Sequence, residues 1–370
     1  MFMKFWTFRL LLAAFTFLPA ILFAQGERKD KQAVTYEELY DEPYSINKLF
    51  VHFQPLYGEL FVTNVNAGYG IEVSYYYQDK ADFKAMIRKT YSQKFFDFTR
   101  DYASKVSSVD NDTEIFNYYE LGGTYHIKDF EKSSKTKMFL YKKSYKGNRW
   151  AARVPLHAEI PCKVRIVYGA RLGAIFWDSS TDLGRALKEQ NLTNADLRNV
   201  DPNVTEETYQ TLPLQEKVKG QTNLQDVRVF SNISSQGLYV GGSYSWIKNV
   251  AVNFDKHEEG IDDLILTAYA DILYTPFFTL DDVVYTHKDQ QTGDKIPNTT
   301  YTYSVSPIKN KQIGFRLGIE GKFNRQLSWA YGGEFGYRPS LTGRSFYALF
   351  KISFPVFGTQ LDYKVESFGK

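Results

Sequence analysis

The sequence has a single cysteine, Cys162, among its 370 residues. One thiol excludes an intrachain disulfide framework and a cysteine-rich zinc site. After its first two dozen residues the chain also lacks any apolar run of the roughly 18 residues that a membrane helix needs. Any crossing of a membrane would therefore use strands closed into a barrel, because closure leaves no backbone group unpaired in lipid.

Neither sign of charge is in excess. The chain has 45 Lys and Arg against 42 Asp and Glu, which gives a net charge of +3, and no basic tract stands out. We therefore expect no nucleic-acid partner.

The N-terminus has the order of a secretory signal peptide. Lys4 and Arg9 introduce an almost wholly apolar stretch that ends at the small residue Ala24. We predict a signal peptide over residues 1–24, cleaved after Ala24. A retained membrane helix is the alternative, but the apolar stretch is shorter than the about 18 residues required. Gln25 rather than a cysteine follows the predicted cut, so nothing indicates a lipid anchor.

Aromatic residues are abundant while methionine is rare. The sequence holds 28 Tyr, 29 Phe and 5 Trp but only 4 Met. Its mean hydropathy is nevertheless −0.39, so the chain is not hydrophobic overall. Outer-membrane barrels combine these properties because alternate residues face lipid, the others face a polar lumen, and aromatic girdles lie at both interfaces.

Apolar and polar residues alternate with the period of two that indicates half-exposed strands. In residues 67–75 the odd positions are Ala, Tyr, Ile, Val and Tyr, whereas the even positions are Gly, Gly, Glu and Ser. Four further segments alternate in the same way: 164–176, 313–323, 329–337 and 345–354. We predict these five segments as strands with one face suited to lipid and the other to water.

Seven weaker segments complete the pattern: 49–62, which Pro55 interrupts, 83–91, 118–128, 136–145, 149–160, 237–246 and 264–274. Together they predict an all-β fold, a transmembrane antiparallel up-and-down β-barrel of about 12 strands, within a range of about 10–14. The predicted domains after the signal peptide are a periplasmic N-terminal arm (25–48), the barrel (49–356) and a short periplasmic tail (357–370). A periplasmic β-sandwich is the alternative, but its strands are usually shorter, about 5–6 residues.

Loop lengths agree with a barrel. The long connections near 92–116, 178–236 and 275–311 all fall on the extracellular side of the predicted topology, where outer-membrane barrels carry their longer loops. The connection 247–263 is also long yet falls on the periplasmic side. An additional pair of strands, at 227–233 and 250–254, would account for it.

Charged side chains occupy the polar positions of the predicted strands, so we expect them to face the lumen. They are Glu72, Lys84, Arg88, Glu120, Arg153, Glu159, Arg165, Arg171, Asp271, Arg316, Glu320, Glu334 and Lys351. Such residues either pair across a narrow barrel and plug it or line a hydrated pore. A barrel of about 12 strands is intermediate in width, and we favour the salt-bridged plug.

Aromatic residues near the strand ends are predicted to form the membrane girdles. They are Tyr75, Tyr77, Phe176, Trp177, Tyr244, Trp246, Tyr274, Trp329 and Tyr337.

The sequence gives no sign of catalysis. A hydrolase needs a base beside a nucleophile and a third group that holds the base. No such signature surrounds the five histidines, which are His52, His126, His157, His257 and His287. Two acidic clusters, 110–114 and 255–263, lack the spacing and the glycine of an EF-hand calcium loop. We therefore predict a non-enzymatic protein without cofactor or metal. Cys162, in a predicted periplasmic turn after Pro161, is interpreted as an inert small residue.

Three segments carry a resemblance to known proteins. The junction Leu-Phe-Ala-Gln at 22–25, together with Gly-Tyr-Arg-Pro at 336–339 and Phe-Tyr-Ala-Leu-Phe-Lys-Ile-Ser-Phe-Pro at 346–355, resembles outer-membrane barrels of the Bacteroidota. That resemblance implies an integral protein of the outer membrane of a Gram-negative bacterium, in contact with lipid and lipopolysaccharide. It further implies a structural or accessory role, as a subunit of an envelope protein-assembly or secretion complex with other envelope proteins as partners. A passive porin-like channel is the alternative, and an outer-membrane hydrolase is a third possibility.

Overall fold

The computed structural model describes residues 34–61, 64–91, 103–141, 156–324, 329–342 and 345–358. The predicted signal peptide and all but the first two residues of the predicted C-terminal tail lie outside this range. Within it, twenty strands follow one another along the chain. They are β1 (Tyr36–Asp41), β2 (Leu49–Phe61), β3 (Asn64–Tyr77), β4 (Ala81–Thr90), β5 (Asn117–Leu140), β6 (Leu156–Asp182), β7 (Arg198–Asn199), β8 (Gln215–Lys217), β9 (Leu224–Asp226), β10 (Phe230–Ile247), β11 (Val250–Phe254), β12 (Gly260–Asp262), β13 (Leu264–Leu280), β14 (Val283–Lys288), β15 (Lys295–Ser304), β16 (Asn310–Lys311), β17 (Ile313–Phe323), β18 (Ala330–Tyr337), β19 (Ser340–Leu341) and β20 (Phe346–Gly358).

Ten strands of the described chain form one closed antiparallel barrel. Its order is β2, β3, β4, β5, β6, β10, β13, β17, β18 and β20, and β20 pairs with β2 to close the ring. Each of these strands pairs with the barrel strands that come before and after it in the chain, so the topology is up-and-down. The predicted fold class is confirmed, with a strand number at the lower end of the expected range.

The barrel has fewer strands than the central estimate because four predicted segments merge into two strands. Segments 118–128 and 136–145 both begin within β5, and 149–160 and 164–176 both overlap β6. β5 and β6 pair from Asn117↔Asp178 to Leu140↔Leu156. The other neighbour of β6, β10, pairs with it only as far as Arg165, so the β5–β6 hairpin continues beyond the barrel.

The predicted turn at Pro161 and Cys162 is therefore wrong. Both residues lie inside β6, and Cys162 is 4% exposed. A proline is tolerated here because this part of β6 has an open edge. The N–H of Lys163 donates to Asp41 Oδ2 at 2.8 Å instead of to a neighbouring strand. Since alternate residues of a strand direct their N–H groups to the same side, position 161 would donate to that same open edge.

We define the lower end of the barrel as the end where β2 begins and β20 ends. The long connections between β4 and β5, between β6 and β10, and between β13 and β17 all start and finish at the opposite, upper end. They include the helices Leu183–Glu189 and Glu207–Gln210 and the 3₁₀ helix Asn194–Asp196. No described helix has the length and apolar character needed to cross a membrane.

The upper connections pack into a folded unit that we call the cap. β7, β14 and β15 form one of its sheets, and β8 and β9 form a hairpin. Its apolar core includes the fully buried side chains of Phe116, Leu183, Leu197, Val283 and Tyr303. The same core continues into the barrel interior through Trp177 and Tyr118.

The connection 247–263 at the lower end also contains structure. Its strands β11 and β12 form a three-stranded sheet with β1, which belongs to the predicted N-terminal arm. Val250, Val252 and Phe254 of β11 pack against Ile160 and Cys162 of the β5–β6 hairpin. β11 is thus one of the two additional strands considered for this region, but it lies outside the barrel. The other segment, 227–233, leads into β10 at Phe230.

The outer face of the barrel is apolar over most of its described surface. Among the predicted girdle residues, Tyr75, Tyr77, Phe176, Tyr244, Tyr274, Trp329 and Tyr337 are exposed there. Trp246 is half-buried against the lower sheet. Trp177 is 1% exposed and faces the interior, because it follows the outward-facing Phe176 in the same strand.

Candidate functional site

The barrel interior collects most of the buried charge of the described chain. Alternation in the strands places it there, as two adjacent residues of β6 illustrate. Arg171 is 7% exposed, whereas Leu172 is 65% exposed. Because successive side chains point to opposite faces, every strand that presents apolar groups outward presents polar groups to the lumen.

A row of four residues on adjacent strands forms the centre of the interior. Arg171, Gly241, Asp271 and Arg316 are register partners across β6, β10, β13 and β17. Arg171 Nε lies 2.9 Å from Asp271 Oδ1, and Arg316 Nε lies 2.6 Å from Asp271 Oδ2. A Cβ at position 241 would lie 2.2 Å from Asp271 Oδ1, so only glycine leaves room for this carboxylate between the two arginines.

Arg316 also crosses the lumen. Its Nη2 and Nη1 lie 2.7 Å and 3.0 Å from the two carboxylate oxygens of Glu120 on β5, in a bidentate pair. Its Nη1 is 3.6 Å from Glu334 Oε2 on β18. The hydroxyls of Tyr269 and Tyr347 each donate to Glu334 at 2.7 Å. One guanidinium thus links four strands of the barrel through three carboxylates.

Lysines and glutamates form a second group nearer the lower end. Lys84 Nζ lies 2.5 Å from Glu320 Oε1 and 3.6 Å from Glu72 Oε1. Lys351 Nζ lies 2.6 Å from Glu72 Oε2 and 2.7 Å from Glu320 Oε1. Each cation therefore bridges both carboxylates, and the group joins β3, β4, β17 and β20.

The structure places most of the predicted lumen charges in these groups. Arg88 is also inside the barrel, where its guanidinium lies over the ring of Tyr118 at 4.8 Å. Arg165 lies at the lower rim and pairs with Asp129 and Asp79. Glu159 is exposed on the β5–β6 extension and not in the lumen, since β6 has left the barrel there. Arg153 lies outside the described residues.

Sequence reasoning missed a bidentate pair between Glu59 and Arg338. Arg338 Nη1 lies 2.7 Å from Glu59 Oε1, and both side chains are buried. Glu59 was not predicted to face the lumen, because β2 contains an irregularity between Phe53 and Leu56, around Pro55. This irregularity exchanges the inward and outward positions of the strand. Arg338 lies two positions after the inward-facing Gly336, just beyond β18. The alternation of that strand would therefore have predicted that Arg338 faces the lumen.

Sequence reasoning also assigned tyrosines mainly to the outer girdles, whereas several line the interior. Arg316 lies over the ring of Tyr239 at 4.2 Å, and Arg171 over Tyr269 at 4.1 Å. Gly122 accommodates Tyr239, because a Cβ at position 122 would lie 2.0 Å from its hydroxyl. Planar guanidinium groups stack on aromatic rings while they bind carboxylates at their edges, so one arginine contacts both kinds of partner.

The cap closes the upper end with aromatic and aliphatic side chains. Within it His287 lies among tyrosines, and its Nε2 is 2.6 Å from the Tyr303 hydroxyl. Burial lowers the pKa of His287 to about 4, so the ring is neutral at pH 7. A buried neutral histidine is consistent with a cap that excludes water.

The lower end has a smaller apolar floor. Phe50, Val167, Ile247 and Ile265 are buried together beneath the lysine and glutamate group. The segment that leads into β2 is tied to this end by hydrogen bonds, since Asn324 Nδ2 donates to the Ser45 carbonyl at 2.7 Å. Apolar side chains thus lie both above and below the charged groups of the lumen.

The described residues contain no cluster of three or more metal-ligating side chains. No described histidine hydrogen-bonds to a serine, threonine or cysteine: His126 contacts Asp82 and the Asp79 carbonyl, and His287 contacts Tyr303. His157 is exposed on the β5–β6 extension.

No protein-family profile and no curated protein matches the sequence. Among solved structures, the chain is similar to the CymD monoaromatic hydrocarbon channel at 7% sequence identity and a TM-score of 0.24. The match covers 88% of this chain and 94% of that chain. So distant a likeness carries no argument about function, and the functional interpretation depends on the contacts described above.

Proposed function

We propose that this chain is a non-enzymatic outer-membrane β-barrel with a closed lumen, whose role is structural or accessory within an envelope protein-assembly or secretion complex. The observation that carries the proposal is the interior network centred on Arg316, which joins opposite walls of the barrel.

A membrane location is supported by the outer surface. Leu121, Leu172 and Ile272 are each at least 60% exposed on strands of the barrel wall. Soluble proteins rarely leave contiguous apolar surface of this extent in water. Aromatic residues such as Tyr77 and Trp329 near the strand ends fit the interfacial girdles of a barrel in lipid. Lipid and lipopolysaccharide are accordingly the expected surroundings.

A structural role is supported by the way in which the interior is filled. A passive channel needs a continuous hydrated path, but here buried ion pairs cross the lumen and the cap and the floor are apolar. What remains accessible is the folded cap at one end and the β1–β11–β12 sheet with the β5–β6 hairpin at the other. These two ends are the surfaces that we assign to contacts with other envelope proteins.

Planar bilayers distinguish a closed barrel from a channel. Purified protein reconstituted in bilayers is expected to give no reproducible conductance steps. Stable steps of uniform size would overturn the closed lumen and favour the channel. Co-purification from mildly solubilised membranes tests the accessory role separately, because a protein that is always recovered alone would contradict it.

Cysteine labelling tests the orientation of the wall in lipid. With Cys162 replaced by serine, L172C should react with a lipid-phase maleimide, and R171C should resist it because position 171 faces the interior. The reverse result would show that the assigned faces are exchanged.

A further inference from the structure

A small chamber lies in the lower half of the barrel interior, between the apolar floor and the lysine and glutamate group. Its volume is about 50 Å³. A water molecule needs roughly 10–15 Å³ by this measure, so the chamber has room for a small hydrated ion but not for an organic metabolite.

Among the cations that line the chamber, Lys322 lacks an ion-pair partner within the described chain. Lys84 and Lys351 share the two carboxylates of Glu72 and Glu320, which leaves that group neutral. Lys322 Nζ instead lies 4.5 Å from the centre of the Phe50 ring and 4.9 Å from that of Tyr76. Aromatic faces compensate an ammonium only partly.

Asp82 is the remaining carboxylate in the chamber wall. Its Oδ2 is 3.2 Å from His126 Nε2, so it is engaged at the rim of the barrel. No described carboxylate oxygen lies within 4.0 Å of Lys322 Nζ. Glu72, Asp82 and Glu320 therefore attract Lys322 only at longer range, and its ammonium has no direct counter-charge among the described residues.

The chamber wall also offers hydroxyl groups without hydrogen-bond partners among the described residues. Ser74 and Ser353 are 5% and 3% exposed, line the chamber, and make no side-chain hydrogen bond to described residues. Buried hydroxyls normally have a partner. Ser245 and Thr267, in the same wall, are 2.9 Å apart and satisfy one another.

We propose that this chamber is a binding site for a small inorganic anion of the halide class. Lys322 supplies the charge, and the hydroxyls of Ser74 and Ser353 donate hydrogen bonds. A monovalent anion neutralises the unpaired ammonium and fits the volume, whereas a buried ammonium without a counter-charge is costly. This site is independent of the role proposed for the barrel as a whole.

Thermal unfolding of the full-length detergent-solubilised protein tests the site. Chloride is exchanged for gluconate, an anion too large for the chamber, at constant ionic strength so that general screening does not change. We expect chloride at ten times its Kd to raise the unfolding midpoint saturably by about 2 °C. K322M, which keeps the apolar stem on the rings, should abolish the increase, and a variant with both S74A and S353A should weaken it.

K311M is the matched control. Lys311 also lies over an aromatic ring, 5.9 Å from the centre of Tyr337, but it is exposed at the upper end. It should retain the full chloride effect. A non-saturable response in the wild type, or an equal response in K322M, would overturn the proposal. If K322M does not fold, anomalous diffraction from wild-type crystals soaked in bromide tests the site instead. An anomalous peak beside Lys322 Nζ supports the site, and its absence contradicts it.

Discussion

The upper and lower halves of the barrel interior are closed by different side chains. In the upper half arginines stack on tyrosine rings, bind carboxylates at their edges, and lie beneath the apolar cap. In the lower half lysines bridge glutamates around a chamber. A guanidinium is planar and has five donors, so it joins several partners in a dry interior, whereas an ammonium is a strongly hydrated point charge. We therefore expect the upper half of the interior to be more rigid than the lower half.

Loss of Arg316 should have the largest effect. R316M leaves Glu120, Asp271 and Glu334 buried with fewer counter-charges, and breaking a buried pair by removing one partner costs about 3–5 kcal/mol. We expect the free energy of unfolding in urea to fall by about this amount. R185M is the control, since Arg185 is exposed and its ion pair with Asp182 lies at the surface, and its effect should be within about 0.5 kcal/mol. An equal effect of both variants would contradict a central role for Arg316.

A cavity in the cap should have the next largest effect. Leu183 is fully buried in the cap core, and L183A should destabilise it by about 2–4 kcal/mol. Because the barrel pairing is not touched, the cap should become sensitive to protease while the barrel resists heat in detergent. L214A, at a leucine that is 53% exposed, is the control. Simultaneous loss of both parts in L183A would show that cap and barrel unfold as one unit.

Loss of a lysine from the lower group should reduce the free energy of unfolding less than loss of Arg316. K351M leaves Lys84 in contact with both Glu72 and Glu320, and the Glu320 side chain is less buried than that of Glu120 in the upper group. We expect a loss of about 1–3 kcal/mol in urea unfolding, smaller than for R316M. K163M removes an exposed lysine and serves as control. A loss as large as that of R316M would contradict the difference between the two halves.

Mildly acidic pH should weaken the cap by the smallest amount. The pKa of His287 is about 4 in the folded protein, below its usual value near 6.5. Between these values the unfolded state binds the proton and the folded state does not, so stability is present above pH 6.5 and declines as pH falls towards 4. Protease sensitivity of the cap across this interval should therefore increase. H287F keeps an aromatic ring but cannot titrate, so the same pH dependence in that variant would exclude His287 as its cause.

The barrel could be predicted because alternation is a local property. Residues such as Arg171 and Leu172 carry their orientation in the adjacent sequence. Glu59 could not be oriented in this way, since the irregularity around Pro55 reverses the faces of β2. The number of strands was overestimated because β5 and β6 extend past the barrel, and a long strand resembles two short ones.

The partners of the interior ion pairs, by contrast, were beyond local patterns. Glu120 and Arg316 are 196 positions apart, and nothing in the segment around either residue identifies its partner. The cap core is assembled from scattered residues such as Leu197 and Val283, which follow no regular period. Predicting a plug or a pore therefore requires the strand register, which sets the residues that face one another across the barrel.

The pairing of β2 with β20 has a consequence for the order of assembly. The contacts between Glu59 and Arg338 and between Glu72 and Lys351 each join residues 279 positions apart. The second contact cannot form until β20 has arrived, and the first forms only when the end of β18 is brought to β2, so both belong to the closing of the ring. Such long-range pairing is intrinsically slow. Until that step the two carboxylates stay in water, and their burial is coupled to the moment at which the ring closes.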